Sequence, residues 1–534
     1  MQYQGRLNWI KNVLSNNQYI VTSDRIQEPW SRSITLLTGF NSRLKATKHF
    51  IYSLATTLVL IACTSPAGRH TLLTTTPPPA GTNSTDTTTR HPANATQAPT
   101  GSHFSTENPL SKTKQRTSMC PAGITDARSL SVPYLPKPGV NIPYTDPALG
   151  ATVVRITDSK FAEVRKPAYS TIQAWNADES LMILYKSGNS GSGHELRDGH
   201  SYELIRQLNF SPADIEEFFW SHSNPNELFY VSSAQKDFGH FKRFYPATNE
   251  SETIAEFGNW CGNSLPVAGR DVHMQSYNDD TFGFRCQSKN GNPIMFSYRI
   301  STGESVIEPI GDGTQWTSNT APISTPSGTQ FWYQGKTLNK KLQYQAITLD
   351  IKSYIEHSSI GTTVNGQDAL YQVAYDPSPD GCNGDSHKGI GHLVQHNLDS
   401  GRCRNIISQQ HGYPYPTSST HISALASEAP GTVAMSSIGT RKQTVLFSNG
   451  KPAPALFSEV YIANTDTDQP VICRLAHHRS FGKNATKGGY APYFGEPHAT
   501  ISPSGTRILF GSDWYNSGSV DSYVIELPGY KKSP

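Results

Sequence analysis

A unit that recurs seven times constrains the fold more than any other feature of this sequence. Each unit is an apolar segment, a turn resembling Ser-Pro-Asp-Gly and a second apolar segment, and successive units start about 45–76 residues apart. Asn, Asp, Gly and Pro supply the backbone geometry of such turns. Two more short apolar segments follow each pair, and four strands per unit at this period predict a β-propeller blade. The units start at Gln173, Phe218, Ser276, Ile323, Val373, Ala424 and Thr500.

The two ends of the repeat region predict a closed ring. The last unit has three apolar segments, the third starting at Ser522, and a lone apolar segment starting at Ala151 precedes the first unit. If this lone segment joins the last unit as its outer strand, it latches the ring. We therefore predict an all-β fold over residues 119–534, a seven-bladed β-propeller with four-stranded blades. A pair of β-sandwiches is the alternative, which the regular turn motif disfavours.

The composition agrees with an exported all-β protein. The 42 Gly and 36 Pro residues argue against long helices. The aromatic content of 10% requires a packed core and excludes a wholly disordered chain. A net charge of only +3 excludes a nucleic-acid binder that depends on bulk positive charge. We expect a monomer with no nucleic-acid partner.

Residues 1–62 are predicted to be an N-terminal extension and a lipoprotein signal peptide. Arg43, Lys45 and Lys48 precede the apolar residues 50–62, and this run is shorter than the ~18–20 residues of a membrane-spanning helix. The sequence Leu-Ile-Ala-Cys that ends at Cys63 resembles a bacterial lipobox, in which the cysteine is lipidated. Residue 64 is Thr rather than Asp, which favours the outer membrane. The lipid would be the only membrane contact. The alternative is an extension that ends in Cys by coincidence.

The segment that follows is predicted to be a stalk, and the cysteines beyond it to form disulfides. Residues 63–118 are rich in Thr, Pro and Ser and nearly free of apolar residues, so they cannot offset the entropy of ordering. Six cysteines follow, an even number that suits an oxidising compartment. We expect the pairs 261–286, 382–403 and 120–473, with free buried thiols as the alternative.

Propeller geometry predicts that several histidines meet at one mouth of the central channel. The innermost strand of every blade starts at the same mouth, so residues in one structural phase of the units converge there. Three of the seven residues in this phase are histidines, and Glu496 lies close to one of them. Imidazoles that converge with a carboxylate suit a Zn or Mn ion. The seven residues are Ile172, Glu217, His273, Ala321, Ala374, His421 and His498.

The loops at the same mouth carry further candidate residues. His194 and His240 fall in loops between the second and third strands of neighbouring units. Cations attract carboxylate or sulfate groups and aromatic faces stack on sugar rings, so the rim suggests an anionic carbohydrate ligand. The alternative is an ordinary solvated rim. The predicted rim residues are Arg165, Lys166, Tyr169, Arg243, Trp260, Arg270 and Arg479.

Three segments, which start at Asp146, Thr420 and Glu496, resemble the oligogalacturonate lyase type of propeller. In that family His and Gln residues of the last two blades hold a metal, and His421 and His498 match two of those ligands. Glu496 stands where the family has another His, and Tyr493 stands about where it has Gln. The family's general-base His belongs to the fifth blade, where this phase has Val373 and Ala374. Propeller-type ulvan lyases are a related possibility.

The resemblance and the rim together predict a polysaccharide lyase that cleaves a uronate-containing anionic polysaccharide, pectic or ulvan-type, by β-elimination. A base removes the C5 proton, a cation neutralises the adjacent carboxylate and the C4 oxygen leaves. We assign proton transfer to His194 and His240 and carboxylate neutralisation to Arg243. The predicted metal ligands are His421, Glu496, His498 and His273, and the predicted substrate-binding residues are Arg165, Tyr169, Arg270, Arg479 and Trp260.

Two other function classes remain open from the sequence. A propeller on a stalk can be a non-catalytic lipoprotein that binds glycan or protein, because fold does not imply activity. A glycoside hydrolase would need a carboxylate pair, which Glu217 and Glu496 could supply. The abundance of histidine over carboxylate at the mouth argues against the hydrolase.

Overall fold

The structure, a computed structural model, is a seven-bladed β-propeller and confirms the predicted fold. Its strands form seven sheets of three to five strands and one two-stranded pair within the described residues. Cys63, Arg270 and His273 lie outside that part of the chain. The described residues are 120, 122–189, 191–268, 275–310, 321–348, 357–374, 391–414, 420–438, 450–465 and 470–529.

Three short strands precede the first blade, namely β1 (Leu130–Ser131), β2 (Pro143–Thr145) and β3 (Thr152–Arg155). Blades 1 and 2 each have four strands. Blade 1 comprises β4 (Val164–Lys166), β5 (Leu181–Ser187), β6 (Gly193–Asp198) and β7 (Leu204–Leu208). Blade 2 comprises β8 (Phe218–Trp220), β9 (Leu228–Val231), β10 (His240–Tyr245) and β11 (Glu250–Glu256).

Blades 3 to 5 follow in the same up-and-down order. Gln275, which bridges to Phe282, takes the inner position of blade 3. Blade 3 comprises β12 (Thr281–Gln287), β13 (Pro293–Arg299) and β14 (Ser305–Pro309). Blade 4 comprises β15 (Ile323–Ser324), β16 (Phe331–Tyr333), β17 (Lys336–Leu338) and β18 (Tyr344–Thr348). Blade 5 comprises β19 (Ser358–Thr362), β20 (Asp368–Ala374), β21 (Gly391–Asn397) and β22 (Cys403–Ser408).

The last blade confirms the predicted latch. Its sheet runs in the order β2-β3-β30-β29-β28, so β3 is the fourth strand and pairs antiparallel with β30. Joining the two chain ends in one sheet leaves no open seam in the ring. Blade 6 comprises β23 (His421–Ser423), β24 (Thr432–Ser436), β26 (Glu459–Asn464) and β27 (Val471–His477), while β25 (Pro452–Ala453) pairs with β1. Blade 7 adds β28 (Thr500–Ile501), β29 (Arg507–Ser512) and β30 (Asp521–Glu526).

Helix is almost absent from the described residues. One α-helix, α1 (Gly258–Cys261), follows blade 2. Nothing in the described part of the chain is a helix long and apolar enough to span a bilayer. The short 3-10 helices are Gln235–Asp237, Gln409–His411, Gly482–Asn484 and Pro492–Gly495.

The turns between first and second strands also tie neighbouring blades together. Asp279, in the turn of blade 3, has a positive φ of 59° and accepts hydrogen bonds from Ser221 Oγ and the Ser223 amide of blade 2, at 2.8 and 2.9 Å. Asp368 of blade 5 accepts a bond from the Ser327 amide of blade 4 at 3.0 Å. An acidic residue in one blade therefore holds the turn of the preceding blade. This explains why the turns are rich in Asp and Ser.

Two of the predicted disulfides are present. Cys120 is bonded to Cys473 and Cys261 to Cys286. Cys403 is also disulfide-bonded, and its partner lies outside the described residues. The Cys120–Cys473 bond links the start of the propeller to the outer strand of blade 6.

The predicted strand assignment of the fifth unit was wrong by one strand. Val373 and Ala374 end β20, the second strand of blade 5, and the innermost strand is β19. The turn between these strands is Thr363–Gln367, in which Gly366 has a φ of 76°. This turn has the sequence Thr-Val-Asn-Gly-Gln and lacks proline, whereas the Pro-rich segment beyond β20 looks more like the other turns. The residue that precedes the inner strand is therefore His357.

Candidate functional site

Three histidines from three consecutive blades meet at one end of the channel. His357 immediately precedes β19, His421 begins β23 and His498 lies two residues before β28. The ring centroids of His357 and His421 are 4.9 Å apart, and those of His421 and His498 are 4.4 Å apart. Equivalent positions of neighbouring inner strands converge in a propeller, so the closure of the propeller brings these imidazoles together.

Glu496 completes a compact group of possible metal ligands. Its Oε2 lies 3.6 Å from Nε2 of His421 and 3.8 Å from Nε2 of His498. One ligand atom from each of the three residues lies within 4.8 Å of the others, and all three residues are buried. Neither ring nitrogen of His498 has a hydrogen-bond partner within the described ranges. Burial holds the pKa of His498 well below its usual value, so its imidazole is neutral, as ligation requires.

The donor set fits a divalent transition metal. Two imidazoles and one carboxylate are ligands that Zn, Mn or Fe(II) accepts, and three protein ligands leave positions open for a substrate. His421, Glu496 and His498 are therefore the residues of this chain that could hold an ion. His273, predicted as a fourth ligand, lies outside the described residues.

Two tyrosines pack against this group. The Tyr169 ring lies 5.4 Å from His421 and 5.1 Å from His498, measured between centroids. The Tyr493 ring lies 4.6 Å from His498, and its hydroxyl donates a hydrogen bond of 2.8 Å to Oε1 of Glu216. Tyr493 is 37% exposed, so this edge of the group faces solvent. The Tyr493 hydroxyl thus points to Glu216, although the resemblance aligned Tyr493 with a ligand position.

A buried lysine lies beside the tyrosine. Lys166 is fully buried, donates a hydrogen bond of 2.6 Å to the Ala168 carbonyl, and lies 5.5 Å from the Tyr493 ring centroid. Burial lowers the pKa of Lys166 to about 8, although the charges of Glu216 and Glu496 act in the opposite direction. Burial raises the pKa of Glu216 to about 7, against the attraction of Lys166. The positive charge of Lys166 is therefore buried next to the site, and its burial lowers the stability of the folded state.

The residues predicted for proton transfer lie elsewhere in the sheets. His194 is buried on β6, with its ring 5.0 Å from those of Phe210 and Phe218, and its Nε2 is 2.8 Å from the Ile215 carbonyl. Burial lowers its pKa to about 4, so it is a neutral, packed side chain. His240 is half-buried at the start of β10, opposite Glu256. The predicted proton-transfer roles of His194 and His240 remain predictions.

Arg243 and His240 were predicted to share a loop, and this was wrong. Both residues lie on one strand, because β10 begins at His240 and includes Arg243. Its guanidinium pairs with Glu227 at 3.0 Å and with Glu252. Two carboxylates therefore already neutralise this arginine. Its role at a substrate carboxylate remains a prediction.

Of the predicted substrate-binding residues, some lie at the histidine group and others lie elsewhere. Tyr169 joins the histidine group, whereas Arg165 pairs with Glu163 at 2.9 Å and Glu195 at 3.1 Å. Arg479 is buried, pairs with Asp146 at 2.9 Å and so lies inside the domain instead of on the rim. Trp260, on α1, stacks on Phe257 with ring centroids 5.4 Å apart. Arg270 lies outside the described residues.

Sequence reasoning missed His357 and Glu216. The Asn365-Gly366 pair, a strong turn signal between two apolar segments, could have identified the inner strand of blade 5 and hence His357. No signal in the sequence points to Glu216, because its partner Tyr493 is distant along the chain.

No protein-family model matches this chain, and no curated protein matches it. Among solved structures, an oligogalacturonate lyase from Vibrio parahaemolyticus is similar over 73% of this chain and 97% of its own, with 14% identity and a TM-score of 0.48. An oligogalacturonate lyase in complex with manganese is similar over 76% of this chain and 99% of its own, with 15% identity and a TM-score of 0.47. TolB from Acinetobacter baumannii is similar over 68% and 63%, with 10% identity and a TM-score of 0.26. At these identities the likeness concerns the fold.

Proposed function

We propose that this protein is a polysaccharide lyase that cleaves a uronate-containing anionic polysaccharide, pectic or ulvan-type, by β-elimination. The observation that carries the proposal is the convergence of His357, His421 and His498 with Glu496 at one end of the channel. A purely structural polar core would not need three imidazoles in successive contact, two of them beside a buried carboxylate. Groups of this kind mark sites that bind metal or transfer protons.

Elimination from a uronate requires the carboxylate next to C5 to be neutralised, because the C5 proton is otherwise too weakly acidic. His421, Glu496 and His498 would hold a divalent ion for this purpose. When bound, such an ion supplies a Lewis acid for the substrate carboxylate. Lys166 adds a positive charge beneath the site, close to Tyr493 and Glu496. This charge favours the anion that develops as the C5 proton leaves.

His357 is the residue we propose as the general base. Its ring contacts His421, and it stands at the start of the inner strand of the fifth blade. The propeller family that the sequence resembles has its general-base His in the same blade. An imidazole has an ordinary pKa near 6.5, which suits proton abstraction near neutral pH.

The bonds formed and broken in this elimination balance without any further reactant. His357 takes the proton from C5, and the electron pair of the C5–H bond forms the C4=C5 double bond. The C4–O bond breaks, and its electron pair leaves with the linkage oxygen, which takes a proton. We assign this proton to Tyr493, whose ring lies 4.6 Å from that of His498 and whose hydroxyl is hydrogen-bonded to Glu216. The products are a saccharide with a free hydroxyl and an unsaturated uronate.

The test is the ultraviolet absorbance of the unsaturated uronate during incubation with pectate, ulvan, alginate and glycosaminoglycans. We expect absorbance to rise with one of these polymers, to stop on chelation and to return when metal is restored. His357→Gln should lower kcat by about 10²–10⁴-fold with unchanged metal content, whereas His200→Ala, in the turn after β6, should match the wild type.

Absence of absorbance with every polymer, at full metal loading, would refute the lyase proposal and favour a glycan-binding propeller. Activity that survives His357→Gln would remove only the assignment of the base. Full activity in the presence of chelator would remove the role of the metal.

A further inference from the structure

Four aromatic side chains, two exposed and two half-buried, lie on the loops beside blade 7. We define the rim strip as Tyr134, Phe161, Tyr490 and Tyr515. Tyr134 is 71% exposed and stacks on Tyr515, with ring centroids 5.6 Å apart and an interplanar angle of 21°. Phe161 is 66% exposed. Large aromatic side chains of a monomeric domain are seldom left this exposed in one place without a ligand.

Two glycines allow Phe161 and Tyr490 to pack closely against the backbone. A Cβ on Gly518 would come within 2.6 Å of the Phe161 ring, and a Cβ on Gly488 would come within 2.4 Å of both the Tyr490 ring and the Gly518 carbonyl. Phe161 and Tyr490 therefore lie on a backbone surface that only glycine permits.

The backbone that presents Tyr515 is strained. Trp514, Tyr515 and Asn516 are consecutive non-glycine residues with φ values of 43°, 62° and 60°. Such a left-handed run is costly for L-residues and persists only where the surroundings impose it. Here Asp513 accepts hydrogen bonds from the backbone amides of Phe481, Gly482 and Asn516, at 2.8–3.0 Å. Strain held in this way is typical of functional loops.

One loop connects the rim strip to the histidine site and carries positive charge. Tyr490 and Tyr493 lie on the same loop, three residues apart, and Tyr493 contacts His498. Lys483 and Lys487 are exposed on this loop, and Lys160, which pairs with Asp158, is exposed beside Phe161. The Asn516 side chain fixes the loop to the strained turn by accepting hydrogen bonds from the Thr486 and Lys487 amides, at 2.9 and 3.0 Å.

We propose that the rim strip binds sugar units of an anionic polysaccharide chain that lie beyond the one at the site of cleavage. The apolar faces of the sugar rings would lie on Phe161 and on the Tyr134–Tyr515 pair, and the lysines would attract the carboxylate or sulfate groups. This inference rests on the proposed function, because it places the bound polysaccharide relative to the site of cleavage. It predicts a protein that prefers long polymers over short oligomers.

The test is affinity electrophoresis in gels that contain polygalacturonate or ulvan, with chelator present so that no cleavage occurs. We expect the wild type to be retarded, and Phe161→Ala and Tyr134→Ala each to weaken the apparent affinity by about tenfold. Phe161→Tyr should bind like the wild type. Tyr344→Ala is the matched control, because Tyr344 is 57% exposed on β18 of blade 4.

The outcomes separate this inference from the proposed function. Retardation that depends on Phe161, together with no unsaturated product from any of the polymers in the absorbance assay at full metal loading without chelator, supports the rim strip and refutes the lyase. Lyase activity with polymer affinity and chain-length preference unchanged in Phe161→Ala and Tyr134→Ala refutes the rim strip and leaves the lyase. A wild type that no anionic polymer retards also refutes the rim strip.

Discussion

Replacement of Lys166 by methionine should stabilise the fold and weaken the site. Lys166 is fully buried, and its pKa is lowered from 10.5 to about 8. One pKa unit corresponds to about 1.4 kcal/mol, so the folded state disfavours the charged ammonium by about 3 kcal/mol relative to the unfolded chain. Methionine fills a similar space without charge. We expect Lys166→Met to raise the free energy of unfolding at pH 7 by about 2–3 kcal/mol.

The pH dependence of this gain follows from the direction of the shift. Because the folded-state pKa lies below the unfolded value, the cost of the charge is fully present below about pH 8 and disappears as the pH rises through 10.5. The advantage of Lys166→Met should therefore fade over the same range. Loss of the cation also leaves Glu216, whose pKa is already raised to about 7, more easily protonated at neutral pH.

The assay is urea unfolding at several pH values, followed by tryptophan fluorescence under conditions where refolding is reversible. Lys336→Met, at an exposed lysine on β17, is the control and should change stability by less than about 0.5 kcal/mol. A Lys166→Met variant that is less stable than the wild type at pH 7 would refute the reasoning. So would a gain in stability that is the same at pH 7 and above pH 10.5. The lyase activity should fall in the same variant, since the charge beneath the site is lost.

Two further predictions concern the metal group and the ring. Glu496→Gln should lower metal affinity by at least about tenfold and leave the fold intact. Elemental analysis after dialysis measures the metal that remains bound. Undiminished metal content would remove Glu496 as a ligand. Asp279→Ala should lower the free energy of unfolding by about 2–4 kcal/mol, because the amides and hydroxyls of the blade 2 turn lose their buried acceptor. A change below about 0.5 kcal/mol in denaturant unfolding would contradict that.

The sequence predicted that His421, Glu496 and His498 meet, and the tertiary structure decided which other residues join them. His357 reaches His421 only because β19 is the inner strand of blade 5, and a shift of one strand in the assignment had placed Ala374 there instead. Arg243 was predicted to share a loop with His240, but β10 continues through both residues and carries the guanidinium to Glu227 and Glu252. Short-range patterns do not report where a strand begins to within one or two residues.

The sequence by itself determined the architecture, because the signals for it are local. The turn residues and the spacing of the units predicted the number of blades, and the lone segment at Ala151 predicted the latch that β3 forms with β30. Contacts such as that between Tyr493 and Glu216, 277 residues apart, depend on the closure of the ring. The burial that sets the charge of Lys166 depends on closure in the same way. Periodicity along a chain records turns and strands, whereas a site at the channel mouth exists only after all seven blades have closed around it.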